Sequence, residues 1–118
     1  MSVVIAGIHT NIGKTICAAT ICQALGYDYW KPVQAGDIEK SDSIFIKQMV
    51  SNPHCTVHKE AYVLSVAASP HYAAAIDGIK ISKEKISLPQ SFNNIVVETA
   101  GGIEGEPIKE KKSLLRGT

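Results

Sequence analysis

The segment that most constrains the fold is Val3 to Ala19, VVIAGIHTNIGKTICAA, in which an apolar run stops at Gly7, crosses polar residues and resumes after Gly13-Lys14-Thr15. Val3, Val4, Ile5 and Ala6 form a short, continuous, largely β-branched run. That pattern predicts a strand buried on both faces, as in a parallel sheet. Thr15 to Leu25 has helix-compatible composition, with Gly26 placed to end it. A buried strand, a glycine-bounded loop and a helix opening on Lys-Thr make up the context in which such a turn holds phosphate. Glycine lets backbone N–H groups converge on an anion, and the helix N-terminus adds unpaired donors and the positive end of its dipole. In that reading Asn11, Ile12, Gly13, Lys14 and Thr15 cradle the phosphates. Lys14 reaches the β/γ-phosphates and the Thr15 hydroxyl ligates Mg²⁺. The loop departs from the usual spacing, with five residues rather than four between Gly7 and Gly13.

Further along, YDYWKP reads as a second strand stopped by Pro32. Asp42 to Val50 reads as a helix with Ile44, Phe45, Met49 and Val50 apolar and Ser41 as its cap. SNPH breaks that helix, EAYVLS reads as a strand, and SPHYAAAID as a helix with Pro70 at its first position. SKEKISL reads as a polar helix, and NIVVETAGG as another buried strand running into glycines. Strands alternating with helices predict right-handed crossovers and a mainly parallel α/β sheet. A chain of 118 residues is a natural single domain.

A phosphate site needs a carboxylate for its Mg²⁺. Glu98 supplies one at the carboxyl end of the Ile95-Val96-Val97 strand, where ligand crevices form in such sheets. Asp42 is a weaker candidate on its own, because acidic residues at helix starts also serve the dipole. The formal net charge of +1 gives no electrostatic footprint for nucleic acid or an anionic membrane. Cys17, Cys22 and Cys55 are an odd count without a disulfide-framework spacing. No signal peptide or membrane-span pattern is evident, and a cytoplasmic setting is expected.

Together these pieces resemble the dethiobiotin synthetase family, the ATP-dependent ring-closing enzymes of biotin synthesis. GIHTNIGKT keeps the length, second threonine and ending of that family's phosphate loop. WKPVQAG matches its Lys-Pro-Val block, KSDS its Ser-Asp, AASPHYAA its Ser-Pro-His-x-Ala-Ala and VVETAGG its Val-Glu-Gly-Ala-Gly-Gly. The resemblance implies a P-loop NTPase-like three-layer sandwich and Mg²⁺-ATP-driven carboxylation of 7,8-diaminononanoate with CO₂. One amine forms a carbamate, ATP phosphorylates it to a carbamic-phosphoric anhydride, and the other amine closes the ureido ring. By the same resemblance Lys14 holds the phosphates, and Thr15, Asp42 and Glu98 arrange Mg²⁺. Lys31 is then the second cation near the carbamate and γ-phosphate. Thr10, with the backbone around Gly101 and Gly102, helps place the diamine and carbamate. Complete members of the family pair as homodimers.

Ile8 and His9 replace the family's usual threonine and aspartate. Ala35 removes a possible hydroxyl, and Thr99 replaces a glycine, with crowding or strain expected if its φ is positive. Residues 104–118, EGEPIKEKKSLLRGT, do not resemble the family's next helix and are read as an atypical tail, disordered or frameshifted. On that reading the C-terminal part of the sheet is missing and the last parallel strand is an exposed hydrophobic edge. Two other readings stay open, a truncated remnant with weak nucleotide binding and another deviant P-loop ATPase. Against partitioning-type ATPases, their signature lysine position is His9 here. His54, Cys55 and His58 lack a second Cys/His group at zinc-site spacing. Cys17 and Cys22 point to different helix faces and are read as small core residues. His71 has no hydrolase triad beside it. Tyr27, Tyr29 and Trp30 are read as sheet packing rather than a base-stacking platform.

Overall fold

Strand β5 (Ile95–Glu98) organises the molecule, lying between β1 (Ser2–Ile5) and β2 (Asp28–Trp30) in a parallel sheet of order β1-β5-β2. This computed structural model describes residues 2–6, 11–68 and 70–100. Ile8, His9, Thr10, Gly101, Gly102 and the 104–118 tail lie outside them. All four residues of β5 are buried, as its unbroken apolar run requires of a strand covered on both faces. The expectation that this last strand forms an exposed edge is overturned. After two further strands the chain crosses back and inserts β5 between the first two, so both its ladders are occupied.

A second sheet follows directly from the first. The segment YDYWKP, residues 27–32, was expected to form one strand stopped by Pro32. Instead the chain continues past the proline into β3 (Val33–Ala35), which pairs in parallel with β4 (Tyr62–Leu64). Proline removes one donor but keeps its carbonyl, and Pro32 O accepts from both Ala61 N and Tyr62 N. Pro32 is therefore the point where the strand changes partners. At the turn after β3, Gly36 has φ +76°, and a Cβ there would lie 2.7 Å from the Cβ of Ala67 and 2.8 Å from its backbone N.

Helix α1 (Asn11–Leu25) and helix α2 (Asp42–Met49) cover one face of the central sheet, packing Ala18, Cys22 and Ile46 against Tyr29 and Val96. Gly26, at φ +69°, ends α1 with its N–H on Cys22 O. The Ser41 side chain caps α2 by accepting from Ile44 N. The buried face of α2 is Ser43 and Ile46, whereas the apolar Ile44 and Met49 are exposed. Cys17 is also exposed, so only Cys22 of that pair belongs to the core. Helix α3 (Pro70–Asp77) opens on its proline as expected and packs Ala73 and Ala74 against the second sheet.

The opposite face of the central sheet, with Trp30, Ile95 and Val97, is covered by Ile86 and Leu88. These come from the segment expected to be a polar helix, which forms only a 3₁₀ turn over Lys83–Lys85. Pro89 biases the residue before it away from helix, and the Ser82 N–H is taken by the Tyr62 hydroxyl at 2.8 Å. No helix among the described residues is long and apolar enough to cross a membrane.

The amino end of the sheet is tied by one buried carboxylate. Asp28 accepts from Thr56 N (3.1 Å), Ser91 Oγ (2.7 Å) and Asn93 Nδ2 (2.9 Å), and its Oδ2 lies 2.8 Å from His58 Nε2. Burial pushes its carboxyl upward. The bonds from Ser91, His58, Asn93 and Thr56 outweigh this and hold it below its ordinary 3.8. Asp28→Ala is expected to cost about 3 kcal/mol in denaturant unfolding, since it removes the buried acceptor shared by several partly buried hydrogen bonds at once. A depressed carboxyl contributes stability that is present above its unfolded value and lost as pH falls through the folded one. Acid melts of the wild type below about pH 4 should therefore lose a component that the variant lacks. Gly36→Ala is expected to cost roughly 2–4 kcal/mol, from a left-handed φ combined with a backbone clash.

Candidate active site

The carboxyl end of the central sheet collects charge from four separate segments, and the register explains how. In the β2–β5 ladder Trp30 pairs with Val97, so the next residue of each strand, Lys31 and Glu98, come level. Asp42 opens α2 beside them. Its backbone N–H donates to Gln34 Oε1 at 3.2 Å, while Gln34 Nε2 donates to Gly36 O at 2.8 Å. Lys31 Nζ donates to Asp42 Oδ2 and lies 3.9 Å from Glu98 Oε2. From α1, the Thr15 hydroxyl donates to Glu98 Oε2 at 3.0 Å, and Lys14 Nζ donates to Thr99 O at 3.0 Å.

Lys14, Thr15, Lys31 and Glu98 are each more than nine-tenths buried, with Asp42 at the more open side of the group. Charges so far from water persist only when paired and hydrogen-bonded. Glu98 is the extreme case, with no exposed surface. Burial pushes its carboxyl from the ordinary 4.5 up to about 7, and the neighbouring Asp42 charge adds to this. Lys31 and the hydrogen bonds from Tyr29 and Thr15 oppose it.

The structure thus brings together five residues singled out in the sequence: Lys14, Thr15, Lys31, Asp42 and Glu98. It revises the boundaries of the loop. Asn11, Ile12 and Gly13 belong to the first turn of α1, which begins four residues before the expected start at Thr15. The first turn of a helix directs its N–H groups toward its start, which is the donor set an anion would use. Thr99 is also revised. Asp37 is the only non-glycine residue with positive φ among the described residues, so threonine is not strained at position 99. Its N–H and hydroxyl donate to Ile5 O at 3.1 and 3.3 Å, tying β5 to β1 just beyond their ladder. Ala35 packs with the second sheet.

Two contributors were missed. Tyr29 donates from its hydroxyl to Glu98 Oε1 at 2.9 Å, and Gln34 positions the start of α2. Strand parity was the available signal for Tyr29. In a parallel pair the side chain of Tyr29 shares a face with its partner Val96, and therefore with Glu98 two residues on. Elsewhere, among the described residues, no group of three or more His, Cys, Asp or Glu side chains is placed to hold a metal. His58 is spent on Asp28, and Cys55 packs with the α1–α2 core.

The donor set nevertheless fits Mg²⁺. That ion needs hard oxygens, is commonly held by one or two carboxylates, and completes its shell with water and phosphate oxygens. Thr15, Asp42 and Glu98 supply a hydroxyl and two carboxylates. The Lys31 ammonium already bridging the two acids shows that the space between them accepts positive charge.

An AAA-domain family model matches residues 1–116. The chain is 48% identical over 99 residues to the ATP-dependent dethiobiotin synthetase BioD of Christiangramia forsetii, covering 84% of this chain and 48% of that protein. It is 44% identical over 100 residues to the protein of the same name from Chlamydia pneumoniae, covering 85% and 44% respectively. The corresponding protein of Rhodopseudomonas palustris is 42% identical over 101 residues, covering 86% and 48%. The chain spans about half the length of the curated relatives it matches.

The buried acid has a measurable consequence. Between pH 4.5 and about 7 the folded chain retains a Glu98 proton that the unfolded chain has lost. The associated stability is full below 4.5 and declines as pH rises through about 7. Melting temperatures of the metal-free chain are expected to fall across that window, and Glu98→Gln, neutral and nearly isosteric, should flatten the decline. An equal slope in the variant would assign the titration to another group.

Proposed function

This chain belongs to the AAA-domain family, and on that premise we propose that it provides the phosphate- and metal-holding machinery of an ATP-dependent dethiobiotin synthetase. The reaction is carboxylation of 7,8-diaminononanoate by CO₂ with closure of the ureido ring, through a carbamate and its mixed anhydride with phosphate. The observation that carries this reading is the convergence of Lys14, Thr15, Lys31, Asp42 and Glu98 at one end of the sheet.

The chemical difficulty is that a carbamate anion must approach a triphosphate of high negative charge. Mg²⁺, held by Thr15, Asp42 and Glu98, would offset part of that charge when bound. The rest falls to the chain's own groups. Lys14 and the N–H groups at the start of α1, including Gly13 and Thr15, grip the phosphate oxygens. Lys14 would exchange its hydrogen bond to Thr99 O for the phosphates. Lys31 stands between two acids, and once their charge is met by another cation its ammonium is available to the carbamate and the transferring phosphoryl group. Thr10, Gly101 and Gly102 are proposed to hold the diamine and carbamate.

Two measurements test this. Incubation with 7,8-diaminononanoate, bicarbonate and Mg²⁺-ATP is expected to yield dethiobiotin and ADP. In titration calorimetry, Lys14→Ala should weaken Mg²⁺-ATP binding by roughly 30-fold or more, as expected for loss of a charge-assisted phosphate contact. Its unfolding free energy should stay within about 1 kcal/mol of the wild type. Unchanged nucleotide affinity in that variant would refute the assignment.

A further inference from the structure

Tyr29 was read from the sequence as a packing residue of the second strand, and its ring does pack with Ala18, Cys22, Ile46 and Val96. Its hydroxyl does something more specific. The ring runs along the sheet from the level of Val96 to the level of Glu98, a rise of roughly 6.6 Å over two strand residues. It ends 2.9 Å from Glu98 Oε1. Both side chains are fully buried, so water does not compete for either group. A phenol ionises only near about 10, so at neutral pH the hydroxyl is protonated and a donor.

The two oxygens of Glu98 therefore have different duties. Oε1 is tied to Tyr29 on the core side. Oε2 faces the site, accepting from Thr15 and lying 3.9 Å from Lys31. A carboxylate bound at one oxygen cannot turn about its last torsion without breaking that bond. Phenylalanine would fill the same volume and remove the bond that fixes Oε1, leaving the carboxylate held at Oε2 alone.

We infer that Tyr29 is a positioning residue for the divalent cation, locking Glu98 so that Oε2 alone is presented as a ligand oxygen beside Thr15 and Asp42. This rests on the metal-site role of Glu98 proposed above. Outer partners of ligating carboxylates typically contribute about 10–100-fold to metal affinity.

The test is Mn²⁺ titration in the presence of a non-hydrolysable ATP analogue, with bound metal read from loss of the free-ion paramagnetic resonance signal. Tyr29→Phe is expected to weaken Mn²⁺ binding by about 10-fold or more. Affinity for the analogue without metal should change less than about twofold, which a merely loosened core would not respect. Glu98→Gln serves as the reference. If it weakens Mn²⁺ binding and Tyr29→Phe does not, the positioning role is overturned while the metal site stands. If neither variant alters Mn²⁺ binding, both readings fall. A second measurement on the unaltered chain covers the case in which Tyr29→Phe does not fold. With ¹³Cζ-labelled tyrosine, of which the chain has four, the Tyr29 resonance should shift when Mg²⁺ is added to the analogue complex. It should not shift in Glu98→Gln. A Tyr29 resonance indifferent to Mg²⁺ overturns the inference.

Discussion

The structure turns on one carboxylate placed where carboxylates are least at ease. Glu98 ends the central strand of the sheet with no exposed surface. An ionised group there is tolerated only if its oxygens are met by donors and its charge by a cation. Each neighbouring element answers part of that demand. Helix α1 brings the Thr15 hydroxyl, β2 brings Tyr29 from below, and the chain just past β2 brings Lys31. The relative placement of α1, β2 and β5 is thus constrained electrostatically as well as by the apolar contacts of Ala18, Cys22 and Val96.

The same arrangement sets two acids against the Lys31 ammonium. Asp42 and Glu98 share it, and Lys14 donates to Thr99 O. Two acids facing one cation in a low-dielectric setting favour either retention of a proton or arrival of another cation. Under the proposed function this imbalance is useful. The ligand-free state keeps both lysines parked on partners they can exchange, and the incoming metal and triphosphate supply the opposite charges that release them.

Much of this was legible in the chain. Gly-Lys-Thr after a β-branched run pointed to α1 and its buried Lys14 and Thr15, and the apolar IVV before Glu98 pointed to a strand buried on both faces. Ser41 and Pro70 marked helix starts because capping and the fixed φ of proline act locally. What was not legible depended on partners distant in sequence. Nothing near Pro32 says that its carbonyl will be claimed by Ala61 and Tyr62, so the strand beyond it was missed. The polar-looking SKEKISL segment does not become a helix, because Ile86 and Leu88 are drawn onto the Trp30 face of the sheet. The position of β5 between β1 and β2 is a matter of crossover order, which residue patterning alone does not encode. Tyr29 was seen as bulk because its hydroxyl's target lies 69 positions away.

The Asp28 knot lies at the opposite end of the same sheet, about as far from the lysine pair as these short strands allow. Its partners, Thr56, His58, Ser91 and Asn93, contribute nothing to the charged group around Glu98. Anchoring and chemistry are therefore assigned to opposite poles of the strands. An engineer, or natural drift, can adjust thermal robustness at one pole while leaving ligand handling at the other untouched.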